Sequence, residues 1–311
     1  MKYTIGTRGS ALSLAQTNWV ISELKKKFPE TEFEIVTIKT KGDTDARPLF
    51  TINQKGIFEK EIDRAVVENR VDFAVHSLKD VPTELSEGLV LACIPKREDA
   101  NDIFISKDGT TLQTIKQGST IGTSSLRRAV QVSRIRPDLV VKPIRGNIET
   151  RIRKLQEGEF DGVVLAQAGI ARLGIDVKFE KLSTKDFPPS PGQGAIAIVA
   201  RQDNNALIQT LKTIEDPDSR IAVEAERSLS LYVDSGCRFP VGALAQIKGD
   251  KLTLQVTVYS IDGKQSINVE KTGDPLQAAD LGHQAATELT QQGIAELAKN
   301  WREKVEEWNK E

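Results

Sequence analysis

The chain has 311 residues, a formal net charge of −1 and a hydrophobic fraction of 39%, which suits two or three globular domains and argues against a globally basic nucleic-acid binder. Two cysteines cannot build a disulfide framework, and two histidines argue against a His-rich metal site. The sequence has no apolar run near the ~18 residues of a membrane span and no continuous apolar stretch at its start, so we expect neither membrane insertion nor export.

The first part of the chain alternates short strands and helices. The first strand leads into a polar turn that contains Arg8 and Ser10, and the first helix follows it. A stretch without periodicity, residues 41–48, predicts an exposed loop. Residues 76–82 are predicted to leave the third strand as a loop. Strands are predicted over 2–6, 32–39 and 71–75, and helices over 11–27 and 58–69.

A second unit begins near Asp102 and repeats this pattern. The segment Ile5–Thr7 resembles Ile121–Thr123, and each lies between a strand and a helix. Strands are predicted over 119–122, 140–144 and 161–166, and helices over 123–134 and 149–156. The alternation of strands and helices predicts two related α/β domains with mostly parallel sheets.

The last third of the chain has a different pattern. A run rich in Pro and Gly, residues 183–195, predicts a hinge, and the buried strand after it can return to either domain. A helix over 219–233, strands over 243–248, 251–259 and 265–272, and a helix over 276–299 predict a small α+β domain with a three-stranded antiparallel sheet. The predicted domain limits are 1–97 with 195–213, 98–194, and 214–311.

Positive charge is concentrated in the second unit. Residues 116–154 hold ten basic residues and two acidic ones. Several arginines follow strands, where open α/β sheets bind ligands, and helix starts rich in Ser and Thr offer N–H groups to anions. The alternative is that the hydroxyls cap helices and the arginines form a solvated face. With only 5% aromatic residues, the chain offers few platforms for base stacking, so we favour a small-molecule anion site.

Two further positions have side chains suited to chemistry. Cys237 lies in a predicted loop after Gly236, whereas Cys93 lies in an apolar run that fits an inert buried thiol. For Cys237 an inert buried role and a Cys–His dyad with His76 both stay open. Asp80 follows a buried strand, where a carboxylate can act as a base or stabilise a cation, and where it can equally be a turn residue paired with Lys79.

Nine segments of the chain contain distinctive motifs. The segments are GTRGSALSLAQT (6–17), KGIFEKE (55–61), ENRVDFAVHSLKDVPTELSEGL (68–89), KREDANDIFIS (96–106), GTSSLRRAVQ (122–131), RPDL (136–139), RGNIETRIRKL (145–155), PGQGA (191–195) and SGCRFPVGA (235–243). The motifs HSLKDVP, GTSSLRR and the cysteine loop are specific in combination. Together and in this order, the segments resemble the porphobilinogen deaminase family, also called hydroxymethylbilane synthases. Val199, Arg238 and Phe239 depart from residues common in the family.

The resemblance implies a fold and a reaction. The fold is two α/β domains like those of periplasmic binding proteins, joined by a hinge, and a small carboxy-terminal domain that carries the cysteine. The reaction joins four porphobilinogen molecules head to tail, releases four ammonia molecules and yields hydroxymethylbilane for tetrapyrrole and heme synthesis. A dipyrromethane cofactor, held by Cys237 through a thioether, primes the chain, and neither a metal nor a nucleotide is implied.

The resemblance also implies roles for individual residues. Asp80 matches the catalytic carboxylate, which can stabilise the azafulvene cation formed when porphobilinogen loses ammonia, and can move protons. The loop over 41–55 is expected to act as a lid that limits water capture of this cation. Cofactor contacts are implied for Cys237, Lys79, Ser125, Arg127, Arg128 and Arg145, and substrate contacts for Arg8, Ser10, Arg145, Arg151 and Arg172.

Two other classes of function remain open from the sequence. A non-enzymatic two-domain anion-binding protein would share the hinge and the arginines but would carry no covalent adduct. A hydrolase with a cysteine nucleophile would have a reactive free thiol. The favoured prediction is a cytoplasmic, monomeric transferase whose partner is the small molecule porphobilinogen, with no nucleic acid and no membrane.

Overall fold

The computed structural model describes residues 1–40, 59–233 and 240–297. The predicted loop over 41–55, the cysteine segment 234–239 and the end of the predicted final helix lie outside these residues. Chain order in the first unit is β1 (Lys2–Thr7), α1 (Ala11–Lys27), β2 (Glu32–Thr37), α2 (Lys60–Val67), β3 (Phe73–Ser77) and β4 (Leu89–Cys93).

The second unit follows the first crossover of the chain, residues 94–101, and the second crossover, residues 182–195, returns the chain to the first unit. Its elements are β5 (Asp102–Ser106), β6 (Thr120–Gly122), α3 (Leu126–Ile135), β7 (Val140–Lys142), α4 (Ile148–Glu157), β8 (Gly162–Ala166), α5 (Gln167–Leu173) and β9 (Glu180–Lys181). The remaining elements are β10 (Ile196–Arg201), α6 (Asn205–Lys212), α7 (Pro217–Val233), β11 (Val241–Lys248), β12 (Lys251–Tyr259), β13 (Ser266–Gly273), α8 (Ala278–Gln291) and α9 (Ile294–Leu297).

Two five-stranded sheets share one topology. Their strand orders are β2-β1-β3-β10-β4 and β7-β6-β8-β5-β9, and β11-β12-β13 form a separate antiparallel sheet. In each large sheet the first three strands are parallel, and the fourth is antiparallel to both of its neighbours. That fourth strand is the one that enters after the chain has crossed from the other unit. The predicted architecture of two α/β units and a small α+β unit is confirmed.

Local sequence explains where the two helices nearest the site begin. The Ser13 backbone N–H donates to Ser10 Oγ at 3.3 Å and caps α1, whose last turn carries three lysines. The Arg128 backbone N–H donates to Ser125 Oγ at 3.5 Å and caps α3. Both helices therefore start directly after the carboxyl end of a strand, β1 or β6.

The structure differs from several predictions. Each large sheet has two parallel and two antiparallel strand pairings, so the expectation of mostly parallel sheets is wrong. Residues 76–77 belong to β3 and residues 78–80 form a 3-10 turn, because this strand is buried on both faces and shows no alternation that would mark its end. The predicted final helix is interrupted at Gly293, whose φ of 88° is left-handed. Helices α5 and α6 were not predicted, since runs of 7 and 8 residues give little periodic signal.

A buried carboxylate joins the three units. Glu226 on α7 is fully buried, and it accepts two hydrogen bonds from the guanidinium of Arg97 in the first crossover, at 2.7 and 3.1 Å. It also accepts from the backbone N–H of Gly192 in the second crossover, at 2.6 Å, and from that of Ala245 on β11, at 2.8 Å. One buried carboxylate therefore holds both crossovers and the antiparallel sheet of the third unit together.

The third unit has its own core. One face of its sheet packs against α7 and α8, burying Leu252, Leu254, Val256 and Val258 from the alternating strand β12. None of the described helices combines the length and apolar character that crossing a membrane requires.

Candidate active site

The carboxyl ends of β3 and β6 bring charged groups of both units together. Lys79 and Asp80 lie in the 3-10 turn after β3 and both side chains reach solvent. The protein around Lys79 still excludes much of its water, and this desolvation, together with the charges of Arg128 and Arg127, lowers the pKa of its ammonium to about 8 against the opposing effect of Asp80. Gly192 lies against the Lys79 backbone N, and its neighbour Gln193 accepts a hydrogen bond from Arg128, so the turn lies close to the arginines of α3.

Arg127 and Arg128 are buried and share one carboxylate. The Asp102 side chain is fully buried at the start of β5, and its oxygens lie 2.8 Å from Arg127 Nη1 and 2.6 Å from Arg128 Nη2. Burial raises the pKa of the Asp102 carboxyl, but the charges and hydrogen bonds of both arginines outweigh burial, and the pKa falls to about 2. Burial lowers the pKa of Arg127. A solvated arginine face, the alternative from the sequence, does not describe these two residues.

Two glutamines complete this buried network. Gln193, in the second crossover, donates to Asp102 Oδ1 at 2.9 Å and accepts from Arg128 Nη2 at 3.3 Å. Gln131, one helical turn after Arg127, accepts from Arg127 Nη1 at 2.8 Å. The orientations of both guanidinium groups are thus fixed by partners from β5, α3 and the second crossover.

Three further arginines contribute positive charge. Burial, and then the charges of Arg128 and Arg145, lower the pKa of Arg151 on α4 to about 10. Arg172 on α5 is also largely buried, which lowers its pKa to about 10, and its Nη2 donates to the Gly194 carbonyl at 2.7 Å. Arg145, Arg151 and Arg172 are each partly buried, so they are neither core residues nor a freely solvated face.

The remaining predicted residues have mixed surroundings. Arg8 is partly buried just after β1. Ser10 and Ser125 cap helices, which is the alternative role that the sequence left open for these hydroxyls. Among the described residues, Lys79 and Asp80 form no ion pair within 4 Å, yet the charge of Asp80 acts on the Lys79 ammonium, so a turn role for Asp80 stays open.

The structure describes the surroundings of Cys93 and His76. Cys237 lies outside the described residues. Cys93 is buried, and this burial raises the pKa of its thiol to about 12, which suits an unreactive side chain. His76 Nε2 lies 3.1 Å from Asp63 Oδ1, with both side chains buried, so the described partner of His76 is a carboxylate.

Sequence reasoning missed the residues that hold the arginines. Asp102 was named only as the start of the second unit, and Gln193 only within the hinge. The available signals were an acid at the first position of the buried strand β5 and a polar amide inside PGQGA. Neither signal identifies a partner, because Asp102 is 26 residues from Arg128 and 91 from Gln193.

Known proteins give a consistent comparison. The family model for the dipyromethane cofactor binding domain of porphobilinogen deaminase matches residues 3–209, and the model for the C-terminal domain of porphobilinogen deaminase matches residues 220–291. A probable porphobilinogen deaminase of Nitrosopumilus maritimus is 68% identical over 310 residues, covering 100% of both chains. The porphobilinogen deaminase of Brevibacillus brevis is 45% identical over 300 residues, covering 95% of this chain and 96% of its own.

A solved structure gives a weaker comparison. A Salmonella typhimurium periplasmic binding protein with high arginine specificity aligns with a TM-score of 0.41 and 14% identity, covering 70% of this chain and 93% of its own. That similarity carries no inference about ligand or activity. The two family models together match most of the chain, and the relatives match it from end to end. The chain therefore belongs to the porphobilinogen deaminase family.

Proposed function

We propose that the cluster of Asp80, Lys79 and the α3 arginines carries the family's reaction in this chain, the head-to-tail condensation of four porphobilinogen molecules with release of four ammonia. The observation that supports this assignment is the convergence of the β3 turn with the α3 arginines across Gly192 and Gln193. Gly192 lies against the Lys79 backbone N, and Gln193 accepts a hydrogen bond from Arg128 and donates one to Asp102. A carboxylate beside a surplus of guanidinium groups suits a substrate that carries acetate and propionate and passes through a cation.

The residues divide the chemistry between binding and proton transfer. Arg8, Arg145, Arg151 and Arg172 bind carboxylates of the substrate and of the growing chain, with Ser10 as a further hydrogen-bonding group. Cleavage of the aminomethyl C–N bond of porphobilinogen releases ammonia and leaves a cation, which the Asp80 carboxylate stabilises. The free α-carbon of the acceptor pyrrole attacks this cation, and once the carbon–carbon bond has formed, an Asp80 oxygen takes the proton that this α-carbon loses.

The residues present fit a dipyrromethane cofactor. Arg127 and Arg128 carry two positive charges, and Asp102 offsets only one of them. The charges of Arg128 and Arg145 also lower the pKa of Arg151, so positive charge is concentrated around these arginines. This surplus matches the carboxylates of the cofactor, which would be held by Lys79, Ser125, Arg127, Arg128 and Arg145, with Cys237 as the covalent anchor. When bound, the group supplies a pyrrole with a free α-carbon as the acceptor for chain growth.

Intact-mass measurement and peptide mapping test this assignment. We expect the purified protein to exceed its sequence mass by one dipyrromethane unit, with the adduct on Cys237 and Cys93 unmodified. Cys237→Ser should lose both the thioether and the activity. A fully active protein without an adduct would contradict the proposal. An anion-binding protein would show neither adduct nor turnover, and a cysteine hydrolase would show a free thiol that reacts with electrophiles.

The organisation of the chain completes the proposal. We place the domain limits at 1–97 with 195–213, 98–194 and 214–311, which β10 supports by pairing with β3 and β4 of the first sheet. A monomer in the cytoplasm is the proposed state. Sedimentation at several protein concentrations tests the monomer, since a self-associating chain would sediment faster as concentration rises.

A further inference from the structure

Tyr259 connects the third unit to the helix that carries the cofactor arginines. It ends β12, is 4% exposed, and its ring packs with Leu126 and Val130 of α3. Its backbone N–H donates to the Pro240 carbonyl at 3.0 Å, and Pro240 is the first described residue after the cysteine segment. One residue therefore contacts α3 with its side chain and the flank of the cysteine segment with its backbone.

Gln131 lies between Tyr259 and Arg127. Its Nε2 is 3.5 Å from the Tyr259 hydroxyl oxygen and donates to the Pro188 carbonyl at 2.9 Å. Its Oε1 accepts from Arg127 Nη1 at 2.8 Å, and Arg127 donates to the same Pro188 carbonyl at 2.8 Å. Gln131 is 1% exposed, so another rotamer would leave a buried donor or acceptor without its partner.

Three residues that take part in these contacts lie on one face of α3. Arg127, Gln131 and Arg134 are spaced by four and three residues, which puts them on one face of α3. The Arg134 guanidinium lies 6.0 Å from the centre of the Tyr259 ring and donates to the Gly263 carbonyl at 2.8 Å. The third unit therefore contacts the same helix face that presents Arg127.

We infer that Tyr259 and Gln131 are positioning residues for Arg127, so that docking of the third unit onto α3 sets the cofactor-binding arginine. The inference rests on the proposed role of Arg127 in holding the cofactor. Tyr259 acts through Gln131, whose amide can satisfy Arg127 and Pro188 together only in the observed orientation. Neither side chain needs to touch the cofactor.

A double-mutant cycle on cofactor loading tests the inference. The full chain would be expressed without porphobilinogen and then incubated with it, and intact mass would follow adduct formation. We expect Gln131→Met to slow loading about tenfold, the size of one lost buried hydrogen bond, and Tyr259→Leu to slow it about fivefold by the same reasoning. Tyr259→Phe keeps the ring and removes only the hydroxyl that contacts Gln131, so it should also slow loading about fivefold. Loading of Tyr259→Phe at the parent's rate would show that Tyr259 does not act through Gln131.

The double variant decides between a relay and a general loss of stability. If Tyr259 acts through Gln131, Tyr259→Leu combined with Gln131→Met should load no more slowly than Gln131→Met alone. If the double variant instead loads about fiftyfold more slowly than the parent, which is the product of the two single effects, the inference is overturned. Val269→Ala, in the buried core of the third unit away from α3, should lower the melting temperature but leave loading unchanged.

Arg127→Leu separates failure of this inference from failure of the proposed site. Slow loading in Arg127→Leu with normal loading in Gln131→Met would reject the positioning role and keep the arginine's role. Normal loading in Arg127→Leu would instead reject its role in cofactor binding.

Discussion

Replacing Asp102 by Asn should destabilise the protein strongly. The change removes the negative charge between two buried guanidinium groups but keeps one oxygen that can accept the hydrogen bonds from Arg128. Breaking a buried ion pair by removing one partner costs about 3–5 kcal/mol, and the retained acceptor puts Asn at the lower end, about 3 kcal/mol. The fall of the Asp102 pKa from 3.8 to about 2 independently corresponds to roughly 2–3 kcal/mol of stability at neutral pH.

Thermal and denaturant unfolding measure this loss. At about 2–4 °C per kcal/mol for a protein somewhat smaller than this one, the melting temperature of Asp102→Asn should fall by about 6–10 °C at pH 7. Asp203→Asn is the matched control, since Asp203 pairs with Arg201 at 3.0 Å but is 72% exposed. An exposed pair contributes at most about 1 kcal/mol, so this control should melt close to the parent.

The pH dependence gives a second, independent measurement. A carboxyl whose pKa is depressed in the folded state contributes stability above its unfolded pKa and loses it as the pH falls toward the folded value. The stability difference between the parent and Asp102→Asn should therefore be constant above pH ~5 and shrink as the pH falls from about 4 toward 2. An Asp102→Asn protein that melts within 2 °C of the parent at pH 7, about the shift for 1 kcal/mol or less, would refute the assigned role of this carboxylate.

Four further outcomes are expected. Asp80→Asn should lower turnover per loaded molecule by at least about 100-fold with an unchanged melting temperature, while Asp80→Glu retains more; a rate near the parent's would remove Asp80 from the mechanism. Arg128→Leu should reduce the cofactor content found by intact mass, and full content would show that this arginine is not needed for loading. With the Lys79 pKa at about 8, activity that depends on its ammonium should fall as the pH rises through 8, and Lys79→Arg should shift that limb upward. Glu226→Gln should lower the melting temperature by several degrees, since it removes the charge that fixes both crossovers.

Local patterns explain which elements could be predicted. Helix α1 has the predicted limits because Ser10 caps its start and lysines fill its last turn. Strand β12 has the predicted limits because strict alternation of apolar residues marks one buried face. Strand β3 was placed two residues too early, since a strand buried on both faces has no alternation to show where it ends.

The candidate site was predictable in its charged residues and not in their supports. A local excess of basic residues at strand ends identified the arginines, and the family resemblance, with its transferase reaction and dipyrromethane cofactor, is confirmed by the family models and relatives. Most partners of those arginines could not be inferred, because Asp102, Gln193 and Pro188 come from other parts of the chain and only Gln131 lies on the same helix. Gln193 approaches Arg128 from 65 residues away, and Tyr259 approaches Gln131 from 128 residues away.

The charge balance of the site follows from how these supports are distributed. Asp102 offsets one of the two charges on Arg127 and Arg128, which keeps this pair ordered while it stays net positive. Burial lowers the pKa of Arg151 and Arg172 to about 10, which means that the folded protein holds these charges at a free-energy cost. On the proposed site assignment, carboxylates brought by the cofactor and by each added pyrrole would offset that cost. Loading of the cofactor should therefore stabilise the folded protein, and the chain that carries the adduct should melt at a higher temperature than the chain without it.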